Sequence, residues 1–390
     1  MNKRVLFLIS DTGGGHRSGA QAIGAALDEL PGVVRYQWEI DDIGTHCSFP
    51  LSQLGPAYSA ALRFAPPVYG ALYHATNGRR RFRGLVRVCE PLYREQLRDT
   101  FLSYKPDVIV SVHPLLNHAA LRARMDAKLR TPLITVVTDL GRVHEGWITP
   151  EVDAIVVPAR EVYQRALERG VPPERIFFLG HPVHPKFEAI SESKAELRAT
   201  LGLPADRTVA LLMAGGEGGG KLLPTTLALA RSNLALHLVV VTGRNAALRT
   251  KLEELAPYLA APMTVLGYVN NVPALMRAAD LLVTKAGPGT LAEASVAEVP
   301  VVVYDFIPGQ ERGNLDYVRT NGIGVVALST SAVVRSVTRI VHSQERLASM
   351  RARQGNIAPR GSSRRIAELI AHIATSGHIP PQGLPTAVAL

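Results

Sequence analysis

The stretch Val5-Leu6-Phe7-Leu8-Ile9-Ser10-Asp11-Thr12-Gly13-Gly14-Gly15-His16-Arg17-Ser18 decides the fold. Its first five residues are an unbroken apolar run, the pattern of a parallel strand buried on both faces. Three glycines follow, and then a helical pattern through Ala20, Ile23, Ala26 and Leu27. Strand, glycine turn and helix form the opening unit of a doubly wound α/β sheet. Glycine lets the backbone turn tightly and approach a ligand, and the first helical turn offers unpaired N–H groups to an anion. The spacing is neither GxGxxG nor GxxxxGK[ST], which argues against a dinucleotide cofactor and against P-loop chemistry.

The same alternation runs outward along the chain. Val108 to Val112, Leu133 to Val137 and Ala154 to Val157 read as buried parallel strands in the first half. Val209 to Met213, Leu236 to Val241, Met263 to Leu266, Leu281 to Thr284 and Val301 to Tyr304 read the same way in the second. Helical stretches such as Ala246 to Leu255, Val272 to Ala279 and Thr290 to Ala297 lie between them. The chain of 390 residues is long enough for two domains. Gly180-His181-Pro182-Val183-His184-Pro185 opposes regular structure and marks a hinge. The expectation is an α/β chain with two Rossmann-like, doubly wound parallel sheets facing one cleft. One domain spans 1–183 and the other 184–360. A helix over 361–374 packs back toward the first domain, and a proline-containing tail, 375–390, is disordered.

There are 43 Lys and Arg against 33 Asp and Glu, a formal charge of +10, which suits phosphate, nucleic acid or anionic lipid. Aromatic content of 6% argues against a base-stacking surface, and no nucleic-acid motif is present. Cys47 and Cys89 form no CxxC pair, so neither a zinc site nor a disulfide framework is signalled, and a reducing, cytosolic compartment fits. Met1 to Ser10 reads as a first strand rather than a signal peptide. No run of about 18 apolar residues occurs, so membrane contact is expected to be peripheral. Leu51 to Arg87 is apolar and aromatic, with Tyr58, Phe64, Val68, Tyr69, Leu72 and Tyr73. It then turns basic at Arg79, Arg80, Arg81, Phe82, Arg83 and Arg87. Cations beside apolar side chains suit an anionic membrane surface. The alternative is a helix with solvated arginines.

Four loops carry candidate chemistry. His16 stands where a strand tip meets the cleft, at a turn with low packing demands, and an imidazole suits removing a proton from a hydroxyl. Gly14 and Gly15 beside it form an anion cradle. The second half opens alike, with Gly216, Glu217 and Gly218 after the strand ending at Met213. Paired, the two loops suggest one diphosphate shared by both domains. A third turn holds Gly287, Gly289 and Thr290, and the carboxylate of Glu293 can accept both hydroxyls of a ribose. Thr290 and Glu293 also match a capping box. In the fourth loop Gln310, Glu311 and Asn314 can hydrogen-bond sugar hydroxyls. No Asp-x-Asp pair occurs, so no metal is expected. Helix N-termini and basic side chains would stabilise the departing diphosphate.

The segments SDTGGGHRSGA, SVHPLLNH, VVTDLG, GHPV, MAGGEGGG, VTGRN, GYVNNVPALMRAADLLVTKAGPGTLAEA and DFIPGQERGN occur in this order. Together they resemble the monogalactosyldiacylglycerol synthase and processive diacylglycerol glucosyltransferase family, over about residues 5 to 325. The triple glycine with His separates this branch from the related peptidoglycan-precursor transferases. The resemblance implies a GT-B fold, UDP-galactose or UDP-glucose as donor, diacylglycerol as acceptor, and inversion at the anomeric carbon. No cofactor, no metal and no nucleic-acid partner are expected. His16 would be the base or a donor-phosphate contact, Glu293 would bind ribose, and Gln310 with Glu311 would meet the sugar. Tyr268 and Val269 would hold uracil by their backbone. The basic insertion would dock on anionic lipid at the cytoplasmic face of the cell membrane. A UDP-sugar epimerase of the same fold is the alternative, as is a transferase acting on the lipid-linked peptidoglycan precursor. Glu145 receives no role.

Overall fold

The computed structural model describes residues 2–10, 14–46, 54–216, 219–357 and 360–381. The chain divides into two compact units. One comprises Met1–Pro185, Ile307–Gly313 and Gly361–Leu390, the other Lys186–Phe306 and Asn314–Arg360.

The first unit is built on β1 (Asn2–Ile9), β2 (Arg35–Asp42), β3 (Val108–Ser111), β4 (Leu133–Val136), β5 (Ala154–Val157) and β6 (Ile176–Phe178). They run parallel in the order β2-β1-β3-β4-β5-β6. The chain leaves β1 toward β2 and returns on its other side at β3, so the switch point lies between β1 and β3. Val5, Phe7 and Ile9 of β1 pack on one face against Ala20, Ile23 and Leu27 of the helix Gly15–Asp28. Ile366, Ile370 and Ile373 of the helix Ser362–Ser376 join the same core. Leu6 and Leu8 face the other side, toward Leu97 and Phe101 of the helix Pro91–Tyr104. The Ser362 and Ser363 hydroxyls donate to the carbonyls of His181 and Val183, each at 2.6 Å, which ties the late helix to this unit. Residues 382–390 of the expected disordered tail lie outside the described residues.

The second unit holds β7 (Thr208–Met213), β8 (Leu236–Val241), β9 (Met263–Leu266), β10 (Leu281–Lys285), β11 (Val301–Asp305) and β12 (Gly324–Val326). The order is β12-β11-β10-β7-β8-β9, again parallel, with the switch point between β7 and β10. β2, β6 and β12 add to the strands expected from sequence, and each is an edge strand. β6 and β12 are only three residues long, too short to stand out as strands in sequence. β2, Arg-Tyr-Gln-Trp-Glu-Ile-Asp-Asp, instead alternates between exposed and half-buried residues over most of its length.

Helix starts also differ from expectation at one place that matters. The helix Pro288–Val296 begins two residues before Thr290, with Gly287 as its N-cap and no side-chain cap. Proline fits the first turn because its missing N–H would have no partner there. Thr290 is therefore inside the helix, and the expected capping box with Glu293 does not form. Ser193 and Glu196 do form one at the helix Lys194–Thr200. No helix among the described residues is long and apolar enough to cross a membrane.

Candidate functional site

In the first unit the site collects at the carboxyl edge of the sheet, over its switch point. Gly14, at φ 75°, caps the helix Gly15–Asp28 in the left-handed region, which glycine adopts without strain. This turn sets His16 in the first helical turn, 7% exposed. Its ring meets His113, which follows β3, edge to face at 4.6 Å, and lies 5.8 Å from Trp147. Nδ1 is 3.1 Å from the hydroxyl of Thr138, just past β4. The low packing demand expected at His16 is thus not what the fold imposes, because three side chains enclose it. Burial and neighbouring His16 hold the His113 imidazole well below its ordinary value, so it stays neutral. His181 lies 3.1 Å from the Thr138 carbonyl and 2.9 Å from that of Pro182. Burial holds it at about 4, so its neutral ring donates to one carbonyl at a time.

Asp139 was not singled out by the sequence. It is 5% exposed, and its Oδ2 accepts the indole N–H of Trp147 at 2.7 Å. Burial lifts the acid to about 6, against the pull of that N–H toward the carboxylate, and Glu311 adds a smaller push upward. Tyr58, Tyr69 and Tyr73 feel its charge, and burial raises all three phenols far above their usual range. Tyr58 and Tyr69 both donate to Oε1 of Gln310, at 3.1 and 2.9 Å. The Tyr73 ring packs 4.9 Å from His144.

Glu145, which had no role in the sequence reading, anchors this wall. Arg165 donates to it at 2.7 Å and Arg169 makes a further ion pair, which together keep its carboxyl below the usual value despite burial. The clamp fixes the short turn Glu145–Trp147 and hence the indole that reaches Asp139.

Two expected contacts turn inward. Glu311 is buried, and its carboxylate accepts the Ile307 N–H at 2.8 Å, closing its own loop. Asn314, buried in the second unit, donates its amide to the Ala286 carbonyl at 2.8 Å and so braces the Gly287 turn. Both fit positioning better than direct contact with a sugar.

The insertion forms the helices Leu54–Phe64, Pro66–Thr76 and Arg79–Cys89. Leu51 to Gln53 lie outside the described residues. Phe64, Val68 and Leu72 are exposed, as are Arg79, Arg80, Arg81, Arg83 and Arg87. Phe82 corrects its expected part in membrane docking. It is 2% exposed and packs toward His118 and His144, because a helix that buries one face must turn one position in four or so inward.

In the second unit the carboxyl edge is built mostly from backbone. Gly215, at φ 80°, and the exposed Gly216 follow β7, and the Gly216 carbonyl accepts the Arg244 N–H at 2.8 Å. Gly287 follows β10, with Gly289 and Thr290 in the first turn of the next helix. The Lys285 side chain passes close to both turns, a position that no sequence motif marks. Arg244 stacks its guanidinium 5.1 Å over the exposed Tyr268 ring, beside Val269. Burial lifts the Glu293 acid to about 7, with Lys186 pulling the other way. Glu217 and Gly218 lie outside the described residues.

Likeness to solved structures covers the whole architecture. MurG of Acinetobacter baumannii matches with TM-score 0.60 at 14% identity, over 95% of this chain and 99% of that one. A UDP-GlcNAc 2-epimerase from Neisseria meningitidis, bound to UDP-GlcNAc, matches with TM-score 0.61 at 15% identity, over 95% of this chain and all of that one. Two doubly wound sheets with glycine turns at their switch points therefore define a GT-B protein, a class that includes glycosyltransferases and sugar-nucleotide epimerases.

Sequence relatives narrow the class. Residues 16–183 match the family described as Monogalactosyldiacylglycerol (MGDG) synthase, and residues 217–366 the Glycosyltransferase family 28 C-terminal domain. The spinach chloroplastic monogalactosyldiacylglycerol synthase is 37% identical over 347 residues, 86% of this chain and 66% of the relative. A probable monogalactosyldiacylglycerol synthase 2 of Oryza sativa subsp. indica is 35% identical over 347 residues, 86% of this chain and 73% of the relative. The chain belongs to the monogalactosyldiacylglycerol synthase family. It spans 66% and 64% of the length of its spinach and soybean relatives.

Proposed function

We propose that the chain is an inverting glycosyltransferase that moves galactose or glucose from a UDP-sugar to diacylglycerol. It works as a peripheral enzyme at the cytoplasmic face of the cell membrane. The observation that carries this reading is the company the enclosed polar cluster keeps. His16, Thr138, Asp139 and Trp147 share one unit with exposed arginines and exposed Phe64, Val68 and Leu72. Such a pairing suits an acceptor drawn from a lipid surface. The relatives are monogalactosyldiacylglycerol synthases, which favours galactose.

Donor binding falls to the second unit in this proposal. The Gly215–Gly216 and Gly287 turns, with Gly289, Thr290 and Lys285, take the diphosphate through N–H groups and one cation. Glu217 and Gly218 continue the first of these turns in sequence. Glu293 accepts the ribose hydroxyls, and the backbone of Tyr268 and Val269 holds uracil. With its Oε1 engaged by two phenols, Gln310 offers its amide N–H groups to the sugar. No metal takes part, since N–H groups and Lys285 carry the departing charge.

The test is incubation of the protein with vesicles holding diacylglycerol, with or without anionic lipid, and each UDP-sugar in turn, followed by lipid analysis. A glycosylated diacylglycerol, formed faster on anionic vesicles, is the expected result. Conversion of the UDP-sugar without acceptor, and no glycolipid, would replace this reading by the epimerase one.

A further inference from the structure

We propose that Asp139 is the base that receives the proton of the acceptor hydroxyl, leaving His16 to act on the departing diphosphate. This rests on the transferase reading above.

Position is the first argument. Asp139 lies just past β4 at the carboxyl edge of the sheet, and its neighbour Thr138 holds the His16 ring at 3.1 Å. The Trp147 indole that donates to Asp139 also faces His16, at 5.8 Å between rings. Asp139 and His16 thus share one wall of the same site.

Enclosure is the second. Trp147 of the turn Glu145–Trp147 donates to Oδ2, and Oδ1 takes no hydrogen bond from the described residues. Charged or titratable groups facing Asp139 come from every neighbouring element. They are Tyr58 of the helix Leu54–Phe64, Tyr69 and Tyr73 of the helix Pro66–Thr76, and Glu311 of the loop Ile307–Gly313, with His16 of the helix Gly15–Asp28 across the Trp147 ring. None is a lysine or arginine. A buried carboxylate with one N–H donor and no paired cation is expensive to keep for structure alone. A neutral carbonyl would hold the Trp147 N–H without that cost. A hydroxyl entering the site supplies the missing hydrogen bond and then its proton. With its acid at about 6, Asp139 is ionised at neutral pH yet more basic than a surface carboxylate.

His16 suits the other task. A base at that position must become cationic in the first turn of a helix, where the N-terminal end of the macrodipole opposes positive charge. Donating a hydrogen bond to an anion there requires no charge on the ring.

The step balances as follows. The acceptor O–H proton passes to Oδ1 of Asp139, and the oxygen lone pair forms the bond to the anomeric carbon. The bond from that carbon to the diphosphate oxygen breaks, and its electron pair leaves with UDP. Asp139 then releases the proton to solvent.

The experiment uses the full chain, diacylglycerol vesicles and the UDP-sugar that the wild type accepts. Asp139→Asn should lower turnover by roughly 10²–10⁴-fold, the range for a lost general base, with UDP affinity unchanged. Trp147→Phe removes the N–H that favours the carboxylate, so the acid limb of its turnover profile should move to higher pH than in wild type. A purely structural Asp139 would not move that limb. Turnover of Asp139→Asn within tenfold of wild type overturns the proposal, as does an unmoved limb in Trp147→Phe. Should Asp139→Asn fail to fold, seen as lost UDP binding, the Trp147→Phe profile decides alone. A wild type that glycosylates no diacylglycerol removes the transferase reading and this proposal together.

Discussion

At the first sheet's switch point His16 and His113 meet ring to ring, with Thr138, Asp139 and Trp147 closing around them. At the second's, the equivalent place holds Gly215, Gly216 and Gly287, with Lys285 alongside. The same strand-turn-helix unit opens both sheets, yet one edge is packed with enclosed titratable side chains and the other with open backbone. Under the proposed function the difference follows from what each would hold. Proton transfer needs fixed groups with shifted acidity, and those require enclosure. A diphosphate that arrives and departs needs N–H groups and room, which side chains would obstruct. One sheet is therefore suited to chemistry and the other to donor binding, and this division can be broken experimentally.

The largest effect is expected at the first edge. His16→Ala should reduce turnover by about 100-fold or more, as for the loss of one hydrogen-bond donor to a departing anion, with a much smaller loss of UDP affinity. Its melting temperature should also fall, since the ring is enclosed. Equal losses in turnover and UDP affinity would erase the distinction between the edges.

At the second edge, Glu293→Ala should weaken UDP binding by about 10- to 100-fold, the loss of a charged hydrogen bond worth roughly 1.5–3 kcal/mol. Glu293 also predicts a pH dependence. Its acid sits at about 7 in the free protein, and ribose hydroxyls favour the ionised form. Affinity should be full above that value and fall as pH drops through it. Uridine, which has no phosphate to titrate, is the ligand to use between pH 6 and 8. Glu293→Gln should give a flat profile, and a flat wild-type profile would leave Glu293 outside the donor site.

A smaller effect, near tenfold, is expected when Arg79, Arg80, Arg81 and Arg83 become Ser, as when one or two of the four reach the anionic surface at about 1 kcal/mol each. Binding to anionic vesicles should fall while binding to neutral vesicles and to UDP holds. Equal binding of wild type to both vesicle types would return these arginines to simple solvation. Chelation should have no effect on transfer. Loss of activity in EDTA, restored by magnesium or manganese, would show that the second edge does not carry the diphosphate on backbone and Lys285 alone.

The interior of the fold was legible because central parallel strands are apolar on both faces, as Val5 to Ile9 and Val209 to Met213 show. The edge strand β2 was not, since Arg35 to Asp42 meets solvent and pairs on one side only. Within the site, glycine turns announce themselves locally, so Gly14 and Gly287 could be read directly. Asp139 could not be selected, because its meaning comes from Trp147, Tyr58, Tyr69, Tyr73 and Glu311, which the fold gathers from distant segments. Its place at the end of a predicted strand was the one available signal. The start of the helix at Pro288 was legible in principle from proline's fit to a first turn, which outweighs the capping-box match at Thr290.

The helix Ser362–Ser376 has a consequence for synthesis. It inserts Ile366, Ile370 and Ile373 into the core that β1 begins. Small domains emerging from a ribosome fold from the N-terminus onward as each is completed. Here the first sheet stays uncovered along part of one face until residue 376 has left the exit tunnel. The second unit, whose segments end at Arg360, can finish first. The domain translated earlier is the one completed last, because the helix that covers this face of β1 is translated after the whole of the second unit.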